Sequence, residues 1–109
     1  MVNSKKKGSR EELKLANKLK EYGYDTRRTA QYNGKELDSK ADIIGLDGIH
    51  IECKAVERLN IHDAVEQAIR DNRSADLPAV FHKKNRKPWL VTMTLDDWMT
   101  IYNEWRALG

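Results

Sequence analysis

The sequence has a single cysteine, Cys53, which excludes an internal disulfide and any zinc site built on several thiolates and suits a reducing compartment. No apolar run approaches the roughly 18 residues of a membrane-spanning helix, and the opening M-V-N-S-K-K-K has no apolar signal core. An intracellular, cytoplasmic protein is expected. Internal repeats, low-complexity tracts and an interdomain linker are also missing, so the 109 residues read as one domain over 9–109 behind a flexible basic arm, 1–8.

Charge is plentiful and nearly balanced, with 20 Lys+Arg against 17 Asp+Glu. The net +3 alone identifies no partner, but the distribution says more. Basic residues gather in Lys5, Lys6, Lys7 and Arg10, in Arg27 and Arg28, and in Lys83, Lys84, Arg86 and Lys87, around a more acidic centre. Such clusters suit phosphate contacts, which position a nucleic acid without reading its bases. No helix reads as a major-groove recognition element, so shape rather than base sequence is the expected target.

The elements follow from periodicity and punctuation. S-R-E-E matches a capping box, predicting a helix over 10–22 with Ser9 as N-cap, Glu12 as its partner and Gly23 as the stop. Tyr24 to Thr29 leans towards strand, and Gln31 to Lys40 is a polar connection with an Asn33-Gly34 turn signal. Asn60 caps a second helix with the stripe Ile61, Ala64, Val65, Ala68 and Ile69, ending near Arg73. Two further strands are expected, over Ala79 to His82 and Trp89 to Met93. Thr94 then caps a last helix with an aromatic stripe, Leu95, Trp98, Tyr102 and Trp105, read first as core and otherwise as a dimer face. The order is α-β-β-β-α-β-β-α, an α/β fold with a mixed sheet flanked by helices.

The informative stretch is Ala41 to Lys54, A-D-I-I-G-L-D-G-I-H-I-E-C-K, a hairpin with charges inside it. Charged groups weaken strands and resist burial unless they are paired or bound to a metal, so Asp42, Glu52 and Lys54 need a reason to be there. Alternation sends Ile49, Ile51 and Cys53 to one face and His50, Glu52 and Lys54 to the other. Asp42 reaches the face of Glu52 only if the turn is the three-residue loop Leu46-Asp47-Gly48, with Gly48 left-handed, or a bulge with the same effect. Two converging carboxylates are hard oxygen ligands for Mg²⁺ or Mn²⁺, and a lysine beside them can orient water and stabilise charge on a phosphate.

Asp42 followed by Glu52-Cys53-Lys54 resembles the PD-(D/E)XK nuclease superfamily, and Lys7-Gly8-Ser9 with Glu12 resembles the opening of archaeal-type Holliday junction resolvases. The resemblance implies a restriction-endonuclease-like core and a phage-type or resolvase-type nuclease. It also implies Glu12, with Glu11 as fallback, as a further metal ligand beside Asp42, Glu52 and the Cys53 carbonyl, with Lys54 catalytic. Gln67 and His50 are possible accessory residues. Ala41 replaces the family proline, and Leu13 stands where the resolvases tend to have arginine. The expected activity is Mg²⁺-dependent cleavage of DNA, branched DNA foremost, by a homodimer. The alternatives are a nuclease of the same superfamily on flaps, nicks or duplexes, and a non-catalytic nucleic-acid-binding module.

Overall fold

The structure is a computed structural model that describes residues 4–29 and 41–109, with side chains from Gly8 onwards in the first helix. The Gln31 to Lys40 connection and the side chains of Lys5, Lys6 and Lys7 lie outside the described residues. Among the described residues eight elements run in the order expected: α1 (Ser4–Lys20), β1 (Arg27–Arg28), β2 (Ile43–Ile44), β3 (Ile49–Ala55), α2 (Ile61–Asp71), β4 (Leu77–Lys83), β5 (Leu90–Thr92) and α3 (Leu95–Leu108). The strands form one sheet in the order β1-β2-β3-β4-β5. All neighbours are antiparallel except β3 and β4, which α2 connects as a parallel pair.

Helix α1 begins at Ser4 rather than Arg10, so part of the expected arm is helical backbone, and Ser9 lies inside the helix instead of capping it. The capping box does not form, because Arg28 takes both of its side chains: Nη2 donates to Ser9 Oγ at 3.0 Å and Nε to Glu12 Oε1 at 3.1 Å. The other caps are as read. Asn60 accepts from the Asp63 N–H and Thr94 from the Asp97 N–H, each satisfying a donor that the helix leaves open.

The apolar faces of α1 and α2 each find a layer. Leu15 and Ala16 of α1 pack on Ile43, Ile51, Ala79 and Phe81. Ala64 and Ala68 of α2 pack on Val80 from the other side. Thr26, fully buried, donates from Oγ1 to the Ala16 carbonyl at 2.6 Å and fastens the segment before β1 to α1. Pro78 is tolerated within β4 because Leu77 turns its N–H to the Gly48 carbonyl, which leaves the Pro78 nitrogen facing the β5 side, where β5 pairs only with Val80, Phe81 and His82.

The aromatic stripe of α3 is not core. None of its residues is buried, and it stands away from the sheet, whose faces α1 and α2 already cover.

Candidate active site

The hairpin turn sets the site. Ile43 pairs with Ile51, as the three-residue loop requires, the Ile49 N–H closes on the Leu46 carbonyl, and Gly48 has φ +90°. Asp42 therefore comes to the face of Glu52 and away from the apolar layer that Ile43 and Ile51 enter. Its Oδ2 accepts from the Cys53 N–H at 2.8 Å, and its carboxyl hydrogen-bonds that of Glu52. Gly45 makes the approach possible from the other edge, since a Cβ there would lie 2.4 Å from the Asp25 carbonyl oxygen.

Burial is the main cause that pushes Asp42 up to about 7, and the neighbouring Glu52 adds to it. Burial also lifts Glu52 to about 7, with Asp71 and Glu12 adding and the hydrogen bond from Asp42 and the charge of Lys54 opposing. The charge of Lys54 acts on Glu12, Asp42 and Glu52 alike, lowering each against the rise that burial causes. His50 is buried, with Nε2 3.1 Å from Glu52 Oε1, and burial lowers its pKa, so the neutral ring can donate to the carboxylate.

Glu12 is the α1 acid that faces the site. Burial raises its pKa first and Asp42 second, while Glu11 pairs instead with Lys14 at 3.4 Å. Glu12 does not close onto the other two acids, however, because Arg28 holds it. Among the described residues no group of three His, Cys, Asp or Glu side chains is arranged to hold a metal ion. The pair Asp42 and Glu52 nevertheless fits a divalent cation: both are hard oxygen donors, and two adjacent carboxyls with raised pKa values, Glu52 buried and Asp42 half-buried, gain most from a positive charge between them. The Cys53 side chain packs against the core, and burial pushes its thiol far up, which leaves it a structural residue.

A family model described as "Phage putative PDDEXK endonuclease" matches residues 3–108. The chain belongs to this family. No curated protein sequence matches it. Among solved structures, Hjc of Archaeoglobus fulgidus, a Holliday junction resolvase from an archaeal hyperthermophile, is similar with a TM-score of 0.59 and 26% identity, over 79% of this chain and 76% of that one. The fold is thus the restriction-endonuclease-like one, and the chain is a PD-(D/E)XK endonuclease, a class that generally uses divalent metal ions.

In this endonuclease Lys54, Gln67 and Arg70 line one groove of about 520 Å³ between β3 and α2. Arg10, Arg27, Lys84, Arg86 and Lys87 are exposed, Lys83 lies 5.7 Å over the Trp89 ring, and Arg28 is committed to Glu12 rather than free for a phosphate. Two features escaped sequence reasoning. Asp71, one turn beyond Gln67 on α2, acts electrostatically on both Glu52 and His50, and the i, i+4 spacing from Gln67 was the available signal. The Arg28 clamp on Ser9 and Glu12 had no signal, because it joins residues 16 and 19 positions apart.

Proposed function

We propose that this endonuclease is a Mg²⁺-dependent deoxyribonuclease that hydrolyses phosphodiester bonds in branched DNA and works as a homodimer. The observation that supports it best is the hydrogen-bonded Asp42–Glu52 pair with Lys54 beside it on a hairpin. Similarity to an archaeal Holliday junction resolvase supports the branched substrate. A twofold enzyme suits a four-way junction, which offers two symmetric strands.

In this reading Asp42 and Glu52 hold the cation, with the Cys53 carbonyl as a further ligand and Glu12 as the third acid once Arg28 turns towards a phosphate. Mn²⁺ substitutes for Mg²⁺. The bound cation supplies Lewis acidity towards the scissile phosphate and its attacking water. Lys54 orients that water and stabilises the charge growing on the non-bridging oxygens. His50 fixes the Glu52 carboxylate from behind, and Gln67 lies along the groove towards the substrate. Arg10, Arg27, Lys84 and Arg86 position the backbone through phosphate contacts, with Lys5 to Lys7 extending that surface.

The test is cleavage of a four-way junction, a flap, a nicked duplex and a linear duplex at equal Mg²⁺, with Asp42→Asn assayed beside the unaltered protein. Preferential cutting of the junction, lost in EDTA and in the variant, is expected. Equal cutting of linear duplex would overturn the branched substrate, and an Asp42→Asn protein as active as its parent would overturn the metal site. Unchanged binding with no cleavage under any condition would leave a non-catalytic DNA-binding module.

A further inference from the structure

We propose that α3 is an exchanged interface helix: in the homodimer each copy lays α3 into the groove between α1 and the β4–β5 edge of the other. The inference rests on the homodimeric reading above and names the surface that makes it.

Two halves of an interface are open on the same chain. The first is α3 itself, with Leu95 72% exposed, Trp98 48%, Trp105 62% and Leu108 89%. Trp98 and Tyr102 stack at 5.3 Å and Tyr102 meets Trp105 at 5.7 Å, so the rings form one continuous surface along the helix. With typical side-chain areas these and their neighbours expose roughly 800 Å² of apolar surface, above the 300–600 Å² of the largest patch on an ordinary monomer. It equals the roughly 800 Å² that each partner contributes to a standard interface. A helix of 14 residues is also marginal in water without a partner for its apolar face.

The second half is a groove of about 700 Å³ whose apolar floor includes Leu19, Phe81, Trp89 and Val91. Lys18, Lys83 and Lys87 stand at its edge. Charge selects the occupant. Alongside its aromatic stripe α3 carries Asp96, Asp97 and Glu104 against the single Arg106, an acidic balance that repels DNA and complements the three lysines. An apolar, acidic helix and an apolar, lysine-edged groove on one chain, neither filled by the other within that chain, match between two copies. Exchange of the same element both ways closes a twofold dimer. Lys84 lines a different groove, beside Arg58 and Asn60, and stays available for phosphate.

The experiment is sedimentation equilibrium of the full chain, with thermal melts to verify folding. Because no residue of α3 is buried within its own chain, Trp98→Ser/Trp105→Ser should still unfold in one cooperative melt, lower than the parent's only by the lost dimer stabilisation, while its dimer dissociation constant should rise at least about 100-fold. Asp96→Lys/Asp97→Lys and Lys83→Glu/Lys87→Glu should each weaken the dimer about tenfold, and mixing the two variants should restore a heterodimer. A parent that is monomeric at tens of micromolar overturns both the homodimer and this inference. A dimer untouched by the tryptophan substitutions overturns the inference alone. Loss of dimer in the tryptophan variant without rescue by the mixed charge reversals overturns the groove as the seat of α3.

Discussion

The carboxyl of Asp42 hydrogen-bonds that of Glu52 across the β2–β3 pair, and both are pushed up to about 7, Asp42 by burial and then the charge of Glu52, Glu52 by burial and then the charge of Asp71. The two acids therefore share protons at neutral pH when no cation is present, and their separate titrations merge into those of a pair. Replacing Asp42 with Asn removes one anionic ligand while keeping the shape. Cleavage should fall by at least about 10²-fold and Mn²⁺ affinity with it, measured by single-turnover kinetics and calorimetry. Melting of the metal-free variant should stay level or rise, because a repelling carboxylate has gone.

The same pair sets a pH dependence of stability. Unfolded carboxyls titrate near pH 4 and these two near 7, so between those values the folded state holds more protons and stability falls as pH rises. His50, lowered by burial, acts in the opposite direction up to about pH 6.5, but it is one group against two. The metal-free protein should melt on the order of 5 °C lower at pH 8 than at pH 5, and saturating Mg²⁺ should remove the difference. A melting temperature that rises steadily with pH in EDTA would contradict this arrangement.

His50 meets the site through Glu52, with Nε2 3.1 Å from Glu52 Oε1. His50→Gln keeps an N–H near the position of Nε2, whereas His50→Leu removes it. Calorimetric Mn²⁺ affinity should drop about tenfold in the leucine variant and recover in the glutamine variant. If the two variants bind metal equally, His50 is only packing.

Gly45 and Gly48 both have positive φ, at +119° and +90°, but only Gly45 is crowded by backbone, with a Cβ 2.6 Å from Thr26 Cα. Gly45→Ala should destabilise by about 3 kcal/mol or more, and Gly48→Ala by about 1 kcal/mol, in urea melts. The larger loss should bring reduced cleavage with it, since the crowded backbone belongs to the strand entry that carries Asp42.

Arg28→Lys keeps the charge and loses the fork that reaches Ser9 and Glu12 together. A stability loss of about 1 kcal/mol is expected, the pair being partly exposed to solvent. Cleavage should respond more strongly than stability, because the clamp decides where Glu12 stands.

The sequence alone determined the element order, the caps of α2 and α3, the two faces of β3 and the turn register that brings Asp42 to Glu52. Each is local: alternation along a strand, a cap three residues from its donor, or a three-residue turn that flips every side chain if it slips by one. It also carried the family, since Asp42, Glu52 and Lys54 lie within 13 residues of one another. Tertiary structure alone decided the rest. Ser9 and Glu12 match a capping rule, yet α1 begins at Ser4, and the guanidinium of Arg28, delivered by β1, takes both side chains. Asp71 and Gly45 gained their importance from backbone and charge distant in sequence. The stripe of α3 had the spacing of a core helix, but amphipathic spacing states only that a face must be covered; which surface covers it depends on the faces that α1 and α2 had already taken.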